Sequence, residues 1–178
     1  MKYVKIIVVL TLVCVFSAGI LSLADLLTRE KIAENQKKAF DQAITAIIPQ
    51  ASKVEQEEDI YKVFDATGQL KGYIVIAEGQ GYQGPIKMIC GLSARLDEIL
   101  GIEVLESTET PGLGARINDK EFKEQFKGLG VSGAISYTKT EPVEDGQIQA
   151  ITGATVSSRS VVAILNKRIE AIRKALKE

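Results

Sequence analysis

The chain has 178 residues, 22 basic against 23 acidic, and no histidine. That length allows one domain plus an extra element, and the even charge balance leaves no broad basic surface for nucleic acid. The missing histidines remove the commonest general base and the commonest transition-metal ligand. Only two cysteines are present, Cys14 and Cys90, far apart in the chain. They exclude an iron–sulfur cluster held by this chain alone and argue against a structural zinc, so an electron-transfer role would call for an organic cofactor.

Ile6 to Ala24 carries no charge and is rich in Ile, Val and Leu. At ~1.5 Å rise per residue such a run extends ~29 Å, about the thickness of a bilayer core. A cleaved signal peptide is the competing reading, because Ser22-Leu23-Ala24 loosely fits a small-residue cleavage site. Signal cores usually run only about 7–15 residues, which favours a retained anchor. Lys2 and Lys5 precede the span, whereas the flank after it mixes Asp25, Arg29, Glu30 and Lys31. The positive-inside rule therefore predicts a cytoplasmic N-terminus, with the remaining ~150 residues outside.

Thr28 to Ile48 reads as a helix continuing from the span, with Ile32, Phe40, Ile44, Ile47 and Ile48 near one face and Pro49 as its stop. Polar Gln50 to Asp59 reads as a loop. Tyr61–Ala66 and Leu70–Ala77, joined by Thr67-Gly68, predict a β-hairpin. Gly79 to Gly84 is a glycine-rich turn, and strands are expected over Ile86–Leu92 and Ile99–Leu105. A short helix over Asp119–Phe126 would carry Phe122 and Phe126 at i, i+4; Gly128–Gly133 is a turn. Strands over Ala134–Thr140 and Gln147–Ile151 precede a closing amphipathic helix, Val156 to Leu176. Val161, Val162, Leu165, Ile169, Ile172 and Leu176 would form its buried face. The pattern predicts an α+β fold: an N-terminal transmembrane helix, then a domain of antiparallel hairpins with a C-terminal helix. The expected division is 1–27 as cytoplasmic terminus and anchor, 28–58 as linking helix and loop, and 59–178 as the extracytoplasmic domain.

Two segments carry the functional signal. In Thr152-Gly153-Ala154-Thr155-Val156-Ser157-Ser158 a short strand ends and a long helix begins. A helix N-terminus offers unpaired N–H groups and the positive end of the dipole to a phosphate, and Gly153 and Ala154 keep the approach open. The same hydroxyls would equally suit helix capping. In Glu106-Ser107-Thr108-Glu109-Thr110-Pro111-Gly112-Leu113-Gly114, Pro-Gly suits a type II turn, and the glycines would let backbone amides approach a flat ligand. Taken alone, that segment also fits an ordinary connecting loop.

The two segments in this order behind a single span, together with Gly81-Tyr82-Gln83-Gly84-Pro85-Ile86, resemble the G-subunit family of the Rnf-type ion-translocating ferredoxin:NAD oxidoreductase. The chain is also similar to the related C-subunit family of the sodium-translocating NADH:quinone reductase. The resemblance covers nearly the whole chain. It implies an FMN-binding domain in which the last Thr of the Ser/Thr-Gly-Ala-Thr motif, here Thr155, bears FMN through a phosphoester. It further implies a separate flavin transferase that installs the cofactor, and the other membrane and peripheral subunits of the complex as partners. Thr110, Leu113 and Gly114 would lie by the isoalloxazine, with Thr152, Gly153, Ala154, Ser157 and Ser158 around the attachment point; Glu109 is a further cofactor-binding candidate, and the turn Gly81–Gly84 another. One position departs from the family motif: Asp usually stands three residues before its first Ser/Thr, and here that residue is Gln149. The acid is associated with recognition by the transferase.

Overall fold

The computed structural model describes residues 2–142 and 144–175. It divides into two compact units, Met1–Ala39 and Phe40–Glu178. The first unit lies within α1 (Lys2–Ile47), which joins the expected span and the expected linking helix in one uninterrupted element. From Tyr3 to Leu27 its large apolar side chains are exposed, as suits a helix surrounded by lipid, and it is long and apolar enough to cross a membrane. Ion pairs one turn apart, Arg29–Asp25 and Lys38–Glu34, both at 2.6 Å, mark the polar stretch that follows. Ile32, placed by periodicity on a buried face, is exposed here, because in the first unit no layer packs over that residue.

The second unit begins with the last two turns of α1, which end at Ile47, just ahead of Pro49. It is an α+β domain built on six antiparallel strands in sequential order: β1 (Lys53–Glu57), β2 (Ile60–Phe64), β3 (Leu70–Gln80), β4 (Pro85–Ser93), β5 (Glu98–Ser107) and β6 (Leu129–Gly130). Two of these strands depart from expectation. β1 occupies the segment read as a loop; all five of its residues are exposed, so it carries no apolar alternation by which to be found. β6 lies in the segment read as a turn and pairs only two residues with β5, Leu129 with Ile99 and Gly130 with Glu98. The hairpin turn at Thr67-Gly68 is as expected: Gly68 has φ +79°, and Asp65 Oδ1 accepts from the amides of Thr67 and Gln69 and from the Thr67 hydroxyl.

Both faces of the sheet are covered. On one, Ala43, Ile44, Ile47 and Ile48 pack with Val63, Ile74 and Ile89. Gly91 permits this close approach, since a Cβ there would overlap the Cγ2 of Ile47, a stiff β-branched side chain. On the other face Val75, Ala77, Met88, Cys90 and Leu92 meet α3 (Thr155–Ala175). The alternation of neighbours along β3, with Ile74 to one cluster and Val75 to the other, is the strand period at work. Each fully buried Met, Leu or Ile contributes roughly 1.5–3 kcal/mol. The expected face of α3 is buried at Val161, Val162, Leu165, Ile169 and Ile172, joined by Ile164; Leu176 lies outside the described residues. Ile164 lies against Gly79, where an added Cβ would come within 2.6 Å of its Cγ1.

Between β5 and α3 the chain makes a 3-10 turn (Gly114–Asn118) and the short helix α2 (Lys120–Glu124). Phe122 and Phe126 pack edge-on with ring centroids 5.4 Å apart, both buried. A parallel two-stranded pair, β7 (Ser136–Thr138) and β8 (Gln147–Gln149), then leads into α3; both strands are shorter than the sequence suggests.

Candidate functional site

Three segments distant in sequence meet at the start of α3: the turn between β3 and β4, the loop after β5, and residues 153–157. Together they line a cavity of about 420 Å³. Its walls are Tyr82 from the turn; Glu109, Thr110, Leu113 and Gly114 from the loop; and Gly153, Ala154, Thr155, Val156 and Ser157 from the helix start.

Glu109 ties the three segments together. It is 6% exposed. Its Oε1 accepts from the backbone amides of Tyr82 (2.6 Å) and Gln83 (3.0 Å), and its Oε2 accepts from the Ser157 hydroxyl at 2.6 Å. The carboxylate is seated among glycines: an added Cβ on Gly81 would overlap Oε1, and one on Gly114 would overlap Oε2. A further bond joins loop and turn, from the Thr110 hydroxyl to Gln83 Oε1 at 3.1 Å. Gly112 (φ +75°) permits the Pro-Gly turn, which the Leu113 amide closes onto the Thr110 carbonyl at 3.1 Å.

The helix start is fixed from its buried side. Ser158 is fully buried; its hydroxyl donates to the Ala154 carbonyl at 3.1 Å and accepts from the Ile151 amide at 3.0 Å. Gly153 turns the chain with φ +83°. α3 then begins at Thr155, preceded by Ala154, whose side chain has no oxygen with which to cap. Ser158 instead ties the turn before the helix to its first residues, between the Ile151 amide and the Ala154 carbonyl. Among the described residues no hydrogen bond engages the Thr155 hydroxyl, which is half-buried in the cavity wall. Helix geometry leaves the first amides of α3 without intrahelical acceptors beside it.

The sequence-derived candidates therefore divide. Glu109, Thr110, Leu113, Gly114, Gly153, Ala154, Thr155 and Ser157 are brought together around one cavity. Ser158 points into the core instead. Thr152 is exposed and lines a neighbouring cleft of about 360 Å³ with Arg116, Asp119 and Gln149. Val156 joins the cavity without having been singled out; its position one residue after Thr155 was the available signal. Gln149 is gripped through its backbone, its amide donating to Gln125 Oε1 at 2.7 Å and its carbonyl accepting from Gln125 Nε2 at 3.3 Å.

An α+β domain with a glycine-lined cavity at the head of its closing helix, on a chain with one long apolar N-terminal helix, defines a membrane-anchored, cofactor-binding class of protein. The sequence profile of the FMN-binding domain matches residues 81–170, a range that holds all three segments of the site, and the chain belongs to that family. It is 33% identical over 180 residues to the G subunit of an ion-translocating oxidoreductase complex from Methanosarcina acetivorans, covering 94% of this chain and 93% of the relative. It is 26% identical to the G subunit of a proton-translocating ferredoxin:NAD(+) oxidoreductase complex from Clostridium ljungdahlii, covering 92% and 88%. Among solved structures, the C subunit of the Na(+)-translocating NADH-quinone reductase from Parabacteroides distasonis aligns with a TM-score of 0.54 at 26% identity, covering 61% of this chain and 57% of that one.

Proposed function

We propose that the chain is the electron-transfer subunit of a membrane-bound ion-translocating ferredoxin:NAD oxidoreductase, with FMN joined to Thr155 by a phosphoester. The observation that carries this reading is the uncommitted Thr155 hydroxyl in the wall of a 420 Å³ cavity, beside the free amides of a helix N-terminus. The residues present fit the group. The first amides of α3 can hold an anionic ester phosphate, and Gly153 leaves the backbone bare where it would lie. Leu113 and Val156 offer apolar surface, and Thr110 offers polar atoms at one edge. Bound FMN would supply the redox chemistry. The protein's part is to hold the flavin, orient it between the loop and the helix start, and set the polarity around it; no side chain need act as a general acid or base. A covalent tether also keeps the cofactor at high effective concentration in a compartment where free FMN would be diluted.

The domain lies outside the cytoplasm in this reading, since Lys2 and Lys5 stand on the other flank of the span. Partners are the other subunits of the complex and a flavin transferase that installs the cofactor. Gln149 keeps an acceptor oxygen of the usual Asp, on a side chain one methylene longer, but not its charge, so Gln149→Asp is expected to raise the flavin content per chain.

The test is in-gel flavin fluorescence of the denatured full-length protein from its native host, wild type beside Thr155→Ala. A fluorescent wild-type band that vanishes in the variant supports the assignment. A dark wild-type band would overturn it, leaving a membrane-tethered scaffold whose helix merely starts with a threonine.

A further inference from the structure

Glu109 is more than a candidate contact. Three donors converge on its carboxylate, and two of them are backbone amides, which can only donate. Among the described residues it forms no ion pair, and none of the residues lining the cavity is a lysine or arginine. Burying a carboxylate without a counter-cation is costly unless its oxygens accept hydrogen bonds, and both oxygens are engaged here. Had the fold needed only a bridge between the turn, the loop and the helix, a neutral amide would serve: its oxygen could accept from Tyr82 and Gln83, and its NH₂ could donate to the Ser157 oxygen.

We infer that Glu109 places a fixed negative charge in the wall of the flavin cavity and thereby makes flavin held there harder to reduce. The inference rests on the flavin assignment above. Two electrons and one proton delivered to the flavin leave it with one added negative charge, and the nearly buried Glu109 carboxylate in the cavity wall opposes that gain. Two electrons and two protons add no charge and would be less affected. The electrons come from reduced ferredoxin in the proposed function, and from an electrode in the test. Glu109 thus acts through its field and through the geometry it holds, as a positioning residue that also sets the redox balance.

The experiment is a spectroelectrochemical titration of the purified, flavin-loaded full-length chain. It compares wild type, Glu109→Gln and Ser157→Ala, with covalent flavin content measured first on each. Glu109→Gln keeps the hydrogen-bonding pattern and removes the charge; it is expected to shift the equilibrium about tenfold toward reduced flavin, about 30 mV for a two-electron couple. Ser157→Ala keeps the charge and removes one donor that tempers it, so reduction should become harder. An unchanged equilibrium in Glu109→Gln, or shifts of equal size and direction in both variants, would overturn the inference. Should Glu109→Gln fail to fold, Ser157→Ala decides: harder reduction supports the charge, while easier or unchanged reduction refutes it. A wild-type chain without covalent flavin would instead defeat the functional reading itself, and the two failures are told apart at the first measurement.

Discussion

The side-chain amide of Asn166 closes on the backbone of Ile135 with both of its polar atoms. Its Oδ1 accepts from the Ile135 amide and its Nδ2 donates to the Ile135 carbonyl, each at 2.8 Å. Ile135 is buried and comes immediately before β7, one residue ahead of the pairing with β8. A helix side chain there takes the place of a neighbouring strand. Gln125 does the same for Gln149 at the end of β8. Two carboxamide side chains thus fix the short parallel pair that aims the chain at the head of α3.

Replacing Asn166 by Leu keeps the branching and the number of heavy atoms and leaves the Ile135 amide and carbonyl without partners. Each buried unsatisfied group costs about 1–3 kcal/mol, so for the two a loss of about 2–6 kcal/mol is expected. Asn166→Asp should fall short of rescue, because it retains the acceptor and loses the donor. Denaturant unfolding of the three proteins under one set of conditions measures the difference.

Gly114 is expected to be intolerant of even one carbon. A Cβ there would overlap Glu109 Oε2 and come within 2.6 Å of Ser157 Oγ, and Glu109 cannot retreat without releasing Tyr82 and Gln83. Gly114→Ala should therefore destabilise the domain by about 1–3 kcal/mol and reduce the flavin content per chain. Gly112→Ala is the control: nothing lies within 4 Å of its Cβ position, so its cost is confined to the φ of +75°. Equal flavin loss in both variants would show that loop conformation, rather than the Glu109 seat, governs the site.

Asp65 sets an acid limit on one hairpin. The Thr67 hydroxyl, then the Gln69 amide, hold its carboxyl well below the usual value of 3.8. A folded-state value depressed below the unfolded one contributes stability above the unfolded value, and loses it as pH falls through the folded one. The stability gap between wild type and Asp65→Asn should therefore be full at neutral pH and narrow steadily as the solution is taken below about 4. Paired denaturant melts at pH 7 and pH 3 test this; a gap that does not change would refute it.

Some of this protein was legible in the chain because the information is local. An uncharged run of bilayer length specifies the N-terminal helix, and apolar spacing along 161–172 specifies the buried face of α3. Pro49 marks the end of α1, Gly68 the hairpin, and the Thr-Gly-Ala-Thr segment the place where the closing helix starts. Thr155 and the 109–114 loop could be nominated from sequence because they sit in short motifs. What the tertiary structure alone decided are the relationships across long separations. β1 exists because its backbone pairs with β2, although its side chains remain exposed. Ser157 and Ser158 are adjacent and look alike in sequence, yet one faces Glu109 in the cavity wall and the other the core, because successive residues on a helix point about 100° apart. Glu109 finds its donors 26, 27 and 48 positions away. Only the sheet, by bringing the 81–84 turn and the loop after β5 to the head of α3, makes that carboxylate the centre of the site.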